Sequence, residues 1–123
     1  MAKLLTVGAI VLLSIFIQAQ SAPYVKGDVV RVKVQDSGEP MPDCRIIAVA
    51  GDHIRVNKSG VFVNDQIVRD VSETMLNVLT ATSWPQVIPA GHYVVVGERK
   101  GANHTLTYHG LIRSSQILSR VSN

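Results

Sequence analysis

Period-two alternation is the feature that most restricts this chain. In "YVKGDVVRVKVQ" the apolar Val30, Val32 and Val34 alternate with Arg31, Lys33 and Gln35. Only an extended strand puts alternate side chains on opposite faces, so this is a half-exposed strand entered through the Gly27-Asp28 turn. The pattern returns along the chain, and each return is punctuated by a turn.

Residues 36 to 43, "DSGEPMPD", collect one Gly, two Pro and three acids, which predicts a loop. Arg45 to Ala50 is apolar enough for a buried strand, and Gly51-Asp52 turns it into "HIRV". After the "NKSG" turn, "VFVNDQIV" carries Asn64-Asp65 at the tip of a tight hairpin. Residues 69 to 83 show no clear period, and a strand, a loop or a short helix around Ser72 to Leu79 remain open. A Pro-Ala-Gly-His turn then leads into the strand "YVVVGE", residues 101 to 107 read as a polar loop, and "GLIRSSQILSRV" reads as a short helical turn and a last strand.

Short strands at this spacing predict an all-β domain of barrel or sandwich character. Aromatic residues make up 5% of the chain against 46% hydrophobic residues in all, so the core is expected to be aliphatic and β-branched. At 123 residues there is one domain's worth of chain.

The N-terminus differs. "MAKLLTVGAIVLLSIFIQAQSAP" starts with the cation Lys3 and runs without charge through residues 4 to 17. That length suits the core of a signal peptide and is short for a span of about twenty residues. Residues 1–22 therefore read as a cleaved signal or a retained N-terminal membrane anchor, a hydrophobic helix ahead of a β domain over 23–123. In either case the domain is exported, with Lys3 on the cytoplasmic side.

The remaining signals are bland. A net charge of +3 is spread along the chain with no basic run, which argues against nucleic-acid binding. One Cys cannot form an internal disulfide, no Cys or His spacing suggests a metal site, and no cofactor motif is present. His53, His92, His104 and His109 read as surface or strand residues, and the sequons at Asn57 and Asn103 would matter only in a eukaryotic secretory compartment. Nothing in the pattern fixes an oligomeric state.

In order, the pieces "KGDVV", "CRIIAVAGDHIRV", "GVFVNDQIV" and "IPAGHYVVVGERKGANHTLTYHGLIRSSQIL" behind a membrane-type segment resemble the type I signal peptidase family, the S26 serine peptidases. The family's second piece reads K-R-V-x-G-x-P-G-D and its last reads G-D-N-R-x-x-S-x-D-S-R-Y-W-G. Gly97 and Gly110 fall as far apart as the two bounding glycines of that last piece, with Tyr108 in register between them. The frame carried by the resemblance is Gly27, Asp28, Arg45, Gly51, Asp52, Gly97, Tyr108 and Gly110.

That resemblance implies a β domain on the outer face of a membrane, or in the periplasm, with a serine nucleophile and a lysine base that cleave exported proteins. A desolvated lysine loses its proton readily and can then activate a hydroxyl. Residue by residue, the chemistry is degenerate. The S-M-x-P-T nucleophile motif is replaced by "QAQSAPYVKGD", where ungapped spacing from Gly27 puts Ala19 at the nucleophile position and anchoring on Pro23 puts Gln20 there. Ser21 serves only if two residues have been lost.

The base lysine is replaced by Cys44, a short side chain that cannot stand in for it. As a nucleophile of its own, Cys44 would need a base such as His53. Glu98, Arg99 and Lys100 stand where the family has D-N-R, Asn103 where it has a lysine-orienting serine, and Thr105 and Thr107 where it has a pairing Asp and Arg. The expectation is therefore a signal-peptidase-like protein with no catalytic residues. It would hold an exported peptide or partner protein in an accessory role in secretion, pilus or conjugation assembly. The alternative is an active, divergent S26 endopeptidase using Ser21.

Overall fold

A computed structural model describes residues 24–33 and 42–121. The predicted N-terminal helix and Ser21 lie outside the described residues, as does most of the predicted loop. Among the described residues no helix is long and apolar enough to cross a membrane.

The domain is all-β with one helix. The elements run β1 (Val29–Val32), β2 (Cys44–Val49), β3 (Ile54–Asn57), β4 (Gly60–Val63), β5 (Gln66–Ile67), α1 (Glu73–Thr80), β6 (His92–Lys100), β7 (Thr105–Arg113), a 3-10 turn (Ser114–Gln116) and β8 (Ile117–Arg120). A five-stranded antiparallel sheet has the order β7-β6-β2-β1-β8, and a second sheet has the order β3-β4-β5.

Two glycines set the turns that lead into β1 and out of β2. Gly27 and Gly51 have φ of 95° and 89°, in the left-handed region that residues with a Cβ enter only at a cost. Asn64 and Asp65 sit at φ 51° and 64°, the two positive values that a tight two-residue hairpin needs, and Val63 pairs with Gln66 across them. That hairpin tip falls where the Asn-Asp pair predicts it.

Each face of the large sheet covers a core. On one face Val30, Val32, Cys44, Ile46, Tyr93, Val95, Ile112 and Ile117 pack together. On the other, Ile47, Ala48, Val94 and Val96 meet Ile54, Val61 and Val63 of the small sheet and Met75 and Leu79 of α1. A bulge in β2 makes this possible: Ile46 pairs with Val95 but Ala48 pairs with Val94, which leaves Ile47 as the extra residue. Without it Ile47 and Ala48 would face opposite ways; with it both enter the core beneath the helix.

Helix α1 settles the ambiguous stretch in favour of the short helix. Ser72 caps it by accepting the Met75 N–H at 3.0 Å, and Glu73 complements the dipole in the first turn. Met75 and Leu79, four apart, are its buried stripe. Past its end, Trp84 Nε1 donates to the Leu79 carbonyl at 2.9 Å, which also accepts the Thr82 N–H at 3.2 Å, and Thr82 Oγ1 donates to the Val78 carbonyl at 2.9 Å.

The sequence-based boundary at residue 107 needs correction. Residues 101 to 107 are not all loop, because β7 starts at Thr105 and pairs with Lys100, and Gly110 to Arg113 belong to the same strand. Threonine is at home in strands, and here the pairing with β6 outweighs local polarity.

Candidate functional site

Cys44, the residue expected where the resemblance puts the base lysine, lies in the middle of the large sheet. Val30 of β1, Cys44 of β2, Gly97 of β6 and Tyr108 of β7 stand side by side in one row across four strands, on one face. Cys44 is completely buried. Its Sγ–H donates to the Pro42 carbonyl at 3.5 Å, the only hydrogen bond of that thiol among the described residues.

Gly97 is glycine because Cys44 needs the room. A Cβ at 97 would lie 2.8 Å from the Cys44 sulfur and 2.8 Å from the Asp43 carbonyl oxygen, closer than packed atoms tolerate. The glycine at this place in the pattern is thus the partner of whatever side chain occupies position 44.

Burial, reinforced by the negative charge of neighbouring Asp43, pushes the Cys44 thiol up from 9.0 to about 11. Burial also raises the Tyr108 phenol, and the proximity of Cys44 adds to the rise. At neutral pH both are protonated, so the row holds neither a thiolate nor a base.

No histidine reaches the thiol. His109, next to Tyr108 in β7, projects to the opposite face, where Nε2 donates to Thr82 Oγ1 at 3.1 Å and the ring lies beside Trp84. The direction of that bond follows from Thr82, whose own proton goes to Val78. His92 Nδ1 is bonded to the Ala90 carbonyl at 2.9 Å, while His53 and His104 are exposed. Among the described residues the lysines, 26, 33, 58 and 100, are all exposed. None sits in the water-excluded setting that a lysine base requires.

The two Gly-Asp turns form one structural unit. The Gly27 N–H donates to the Ile46 carbonyl at 2.8 Å, and the Ile46 N–H donates back to the Asp28 carbonyl at 2.9 Å. Asp28 Oδ2 accepts the Val25 N–H at 3.0 Å and the Arg120 guanidinium at 3.1 Å, tying the turn to β8. In the second turn Asp52 accepts the Val49 N–H at 2.9 Å and the Asn64 side-chain amide at 2.9 Å, with Lys26 Nζ at 3.4 Å. Burial works to raise the Asp52 carboxyl, but these three partners outweigh it and hold it below the usual carboxylate range. Lys26 therefore bridges the first turn to the second.

Arg45 serves the opposite face from Cys44. Its Nη2 donates to the Arg69 carbonyl at 2.7 Å and the Asp70 carbonyl at 3.2 Å, pinning the loop before α1 onto β2. Asp70 presents its carbonyl from φ 61°, a conformation that Asp tolerates better than most residues. Beside this contact lies a cleft of about 200 Å³ lined by Val29, Arg45, Asp70, Ser72, Met75 and Glu98 among others. Ser72 Oγ donates to Glu98 Oε1 at 3.2 Å while it caps the helix, so that hydroxyl is a structural group. Neither this cleft nor the Ser72–Glu98 contact is marked in the sequence, since residues 26 apart meet only through the fold.

Of the predicted site residues, then, the structure unites Cys44, Gly97 and Tyr108 in one row and joins Gly27, Asp28 and Asp52 through backbone and Lys26. Gly110 lies in β7 opposite Val95, on the Cys44 face and two residues beyond Tyr108. Among the described residues no three His, Cys, Asp or Glu side chains gather as a metal site. The family described as signal peptidase, peptidase S26, matches the chain over residues 1–122. No curated protein and no solved structure matches it.

Proposed function

The chain belongs to the signal peptidase S26 family, and from that premise we propose that it keeps the family's frame without its proteolysis. The protein is exported, stands on the outer face of the cytoplasmic membrane or in the periplasm, and holds an extended peptide or a partner protein. Its role is accessory, in secretion, pilus or conjugation assembly.

One observation carries this reading. At the position of the base lysine stands Cys44, completely buried, its thiol pushed up to about 11 and bonded to a main-chain carbonyl. A side chain in that state neither accepts a proton from a serine at neutral pH nor attacks a carbonyl, because the reactive species is the thiolate. Peptide holding survives such a loss, since an extended chain can be recognised through backbone hydrogen bonds to a strand without any nucleophile.

The test uses the full chain in detergent or lipid with a pre-protein carrying an A-x-A site. The expected result is no cleavage, together with retention of the pre-protein on the immobilised chain. Specific cleavage that Ser21→Ala abolishes would overturn the proposal in favour of a divergent, active S26 endopeptidase.

A further inference from the structure

Strand β7 is an exposed edge of a kind that folded proteins seldom leave unguarded. The two sheets have four edges, β7, β8, β3 and β5. Three are protected. β5 is two residues long. β8 has four residues and is interrupted at Leu118 by a register shift against β1. β3 is covered at its start, where His53 bridges to Val87 and the Ile54 N–H donates to the Gln86 carbonyl. Short length, bulges and coverage are the usual devices against strand addition.

Among the described residues β7 has none of them. It runs nine residues in unbroken register with β6. Its first eight, "TLTYHGLI", contain no Asp, Glu, Lys, Arg or Pro. Among the described residues no backbone hydrogen bond reaches Thr105 to Ile112 from any element other than β6.

The strand is also complementary to itself. Leu106, Tyr108, Gly110 and Ile112 pair with Arg99, Gly97, Val95 and Tyr93, so they share the Cys44 face. In an antiparallel pairing of two β7 strands about His109, Leu106 comes opposite Ile112, Thr107 opposite Leu111 and Tyr108 opposite Gly110 of the second copy. Beside Gly110 there is space, because a Cβ there would find no neighbour closer than 4.0 Å. A tyrosine ring across from a glycine fills such a gap. Leu106 is half-buried and Leu111 is 36% exposed, so both have apolar surface left to cover.

We propose that β7 is a homodimer interface, in which two copies join edge to edge through antiparallel β7 strands into one ten-stranded sheet. The occupant is a second copy of this chain, and an extended peptide pairing with the same edge would compete with it. A two-fold contact of this type is closed, so it stops at the dimer.

The experiment measures the protein mass of the full chain in detergent micelles by light scattering over a concentration series. The wild type is expected to reach twice the monomer mass. T107K/L111K places lysines opposite lysines at both pairs and is expected to be monomeric, as is T107D/L111D. Mixed in equal amounts, the two variants regain the dimer through two opposite-charge pairs. Circular dichroism checks that each variant is folded; if either is not, His109→Cys decides, because cysteines facing each other at the axis fall within disulfide reach and should cross-link under mild oxidation. A wild type monomeric throughout, a folded T107K/L111K that stays dimeric, or binding of an extended peptide at β7 by a protein that remains monomeric would each overturn the proposal.

Discussion

Cys44 keeps its proton because burial and the adjacent Asp43 carboxylate disfavour its thiolate, and that has measurable consequences. Its value rises from 9.0 to about 11 on folding, so its contribution to stability is complete below pH 9 and is lost as the pH climbs through 11. Two units correspond to roughly 3 kcal/mol at most. Urea unfolding at alkaline pH should show this loss in the wild type and a shallower loss in Cys44→Ala, with the Tyr108 phenol contributing to both. At neutral pH the native thiol should resist a soluble disulfide reagent and react only on unfolding, and rapid stoichiometric labelling of the native chain would contradict its burial. Asp52 has the opposite sign. Its carboxyl is held down in the folded state, so the stability it contributes is present above about pH 4 and falls away as the pH drops through its folded value. Asp52→Asn should flatten the acid limb and cost about 1–3 kcal/mol at neutral pH, read from the urea midpoint. Both residues are conspicuous in the sequence, Asp52 as part of a turn motif and Cys44 as the odd residue in a family pattern. Their partners are not, because Lys26 and Asn64 are distant in sequence from the carboxylate they hold.

Elements were legible in proportion to how local their causes are. The hairpin at Asn64-Asp65 and the turns at Gly27 and Gly51 rest on backbone conformations that particular residues permit, and these fall where the sequence puts them. Only part of strand β7 is legible in the sequence, because Thr105 and Thr107 look like loop residues until β6 pairs with them. Helix α1 was ambiguous for a related reason: eight residues are too few to be helical alone, and packing of Met75 and Leu79 decides the matter. Its dependence on the cap gives a prediction. Ser72→Ala removes the acceptor for the Met75 N–H and should cost about 1 kcal/mol, seen as a lower urea midpoint with an unchanged slope. The β2–β6 contact is less forgiving. Gly97→Ala drives a methyl group into the Asp43 carbonyl and the Cys44 sulfur, each 2.8 Å away, and the backbone atom has nowhere to go. A loss of about 1–3 kcal/mol or more is expected. Since Cys44 is half of the clash, Cys44→Ala should recover only part of it in the double variant, because the Asp43 carbonyl remains.

At the scale of the whole molecule, the family pattern divides into a frame and a chemistry, and the frame residues have tasks that are purely structural. Gly27, Asp28, Gly51 and Asp52 hold the turns around β2, Arg45 holds the helix loop, and Gly97 holds β6 against β2; none of these tasks involves a proton in flight. The chemistry at position 44 is a separate matter, and restoring the lysine there tests the separation. Cys44→Lys places a long cation at a completely buried position, beside a tyrosine and beneath a glycine that leaves little space. Burial of an unpaired ammonium is costly, and it is relieved here only by loss of its proton or by expulsion of the side chain. Thr105 and Thr107 offer hydroxyls where the family pattern has an acid and a base that pair, so a restored lysine finds no carboxylate from that segment to orient it. The expected outcome is a folded but weakened protein, several kcal/mol less stable at neutral pH than at alkaline pH relative to wild type, with no cleavage of an A-x-A pre-protein. The stability difference is read from urea midpoints across pH, and its sign follows from a lysine whose folded value lies below its unfolded one. If that single substitution produced specific cleavage, then the nucleophile and its groove would be intact in this chain. Residue 44 would then decide whether the chain cleaves.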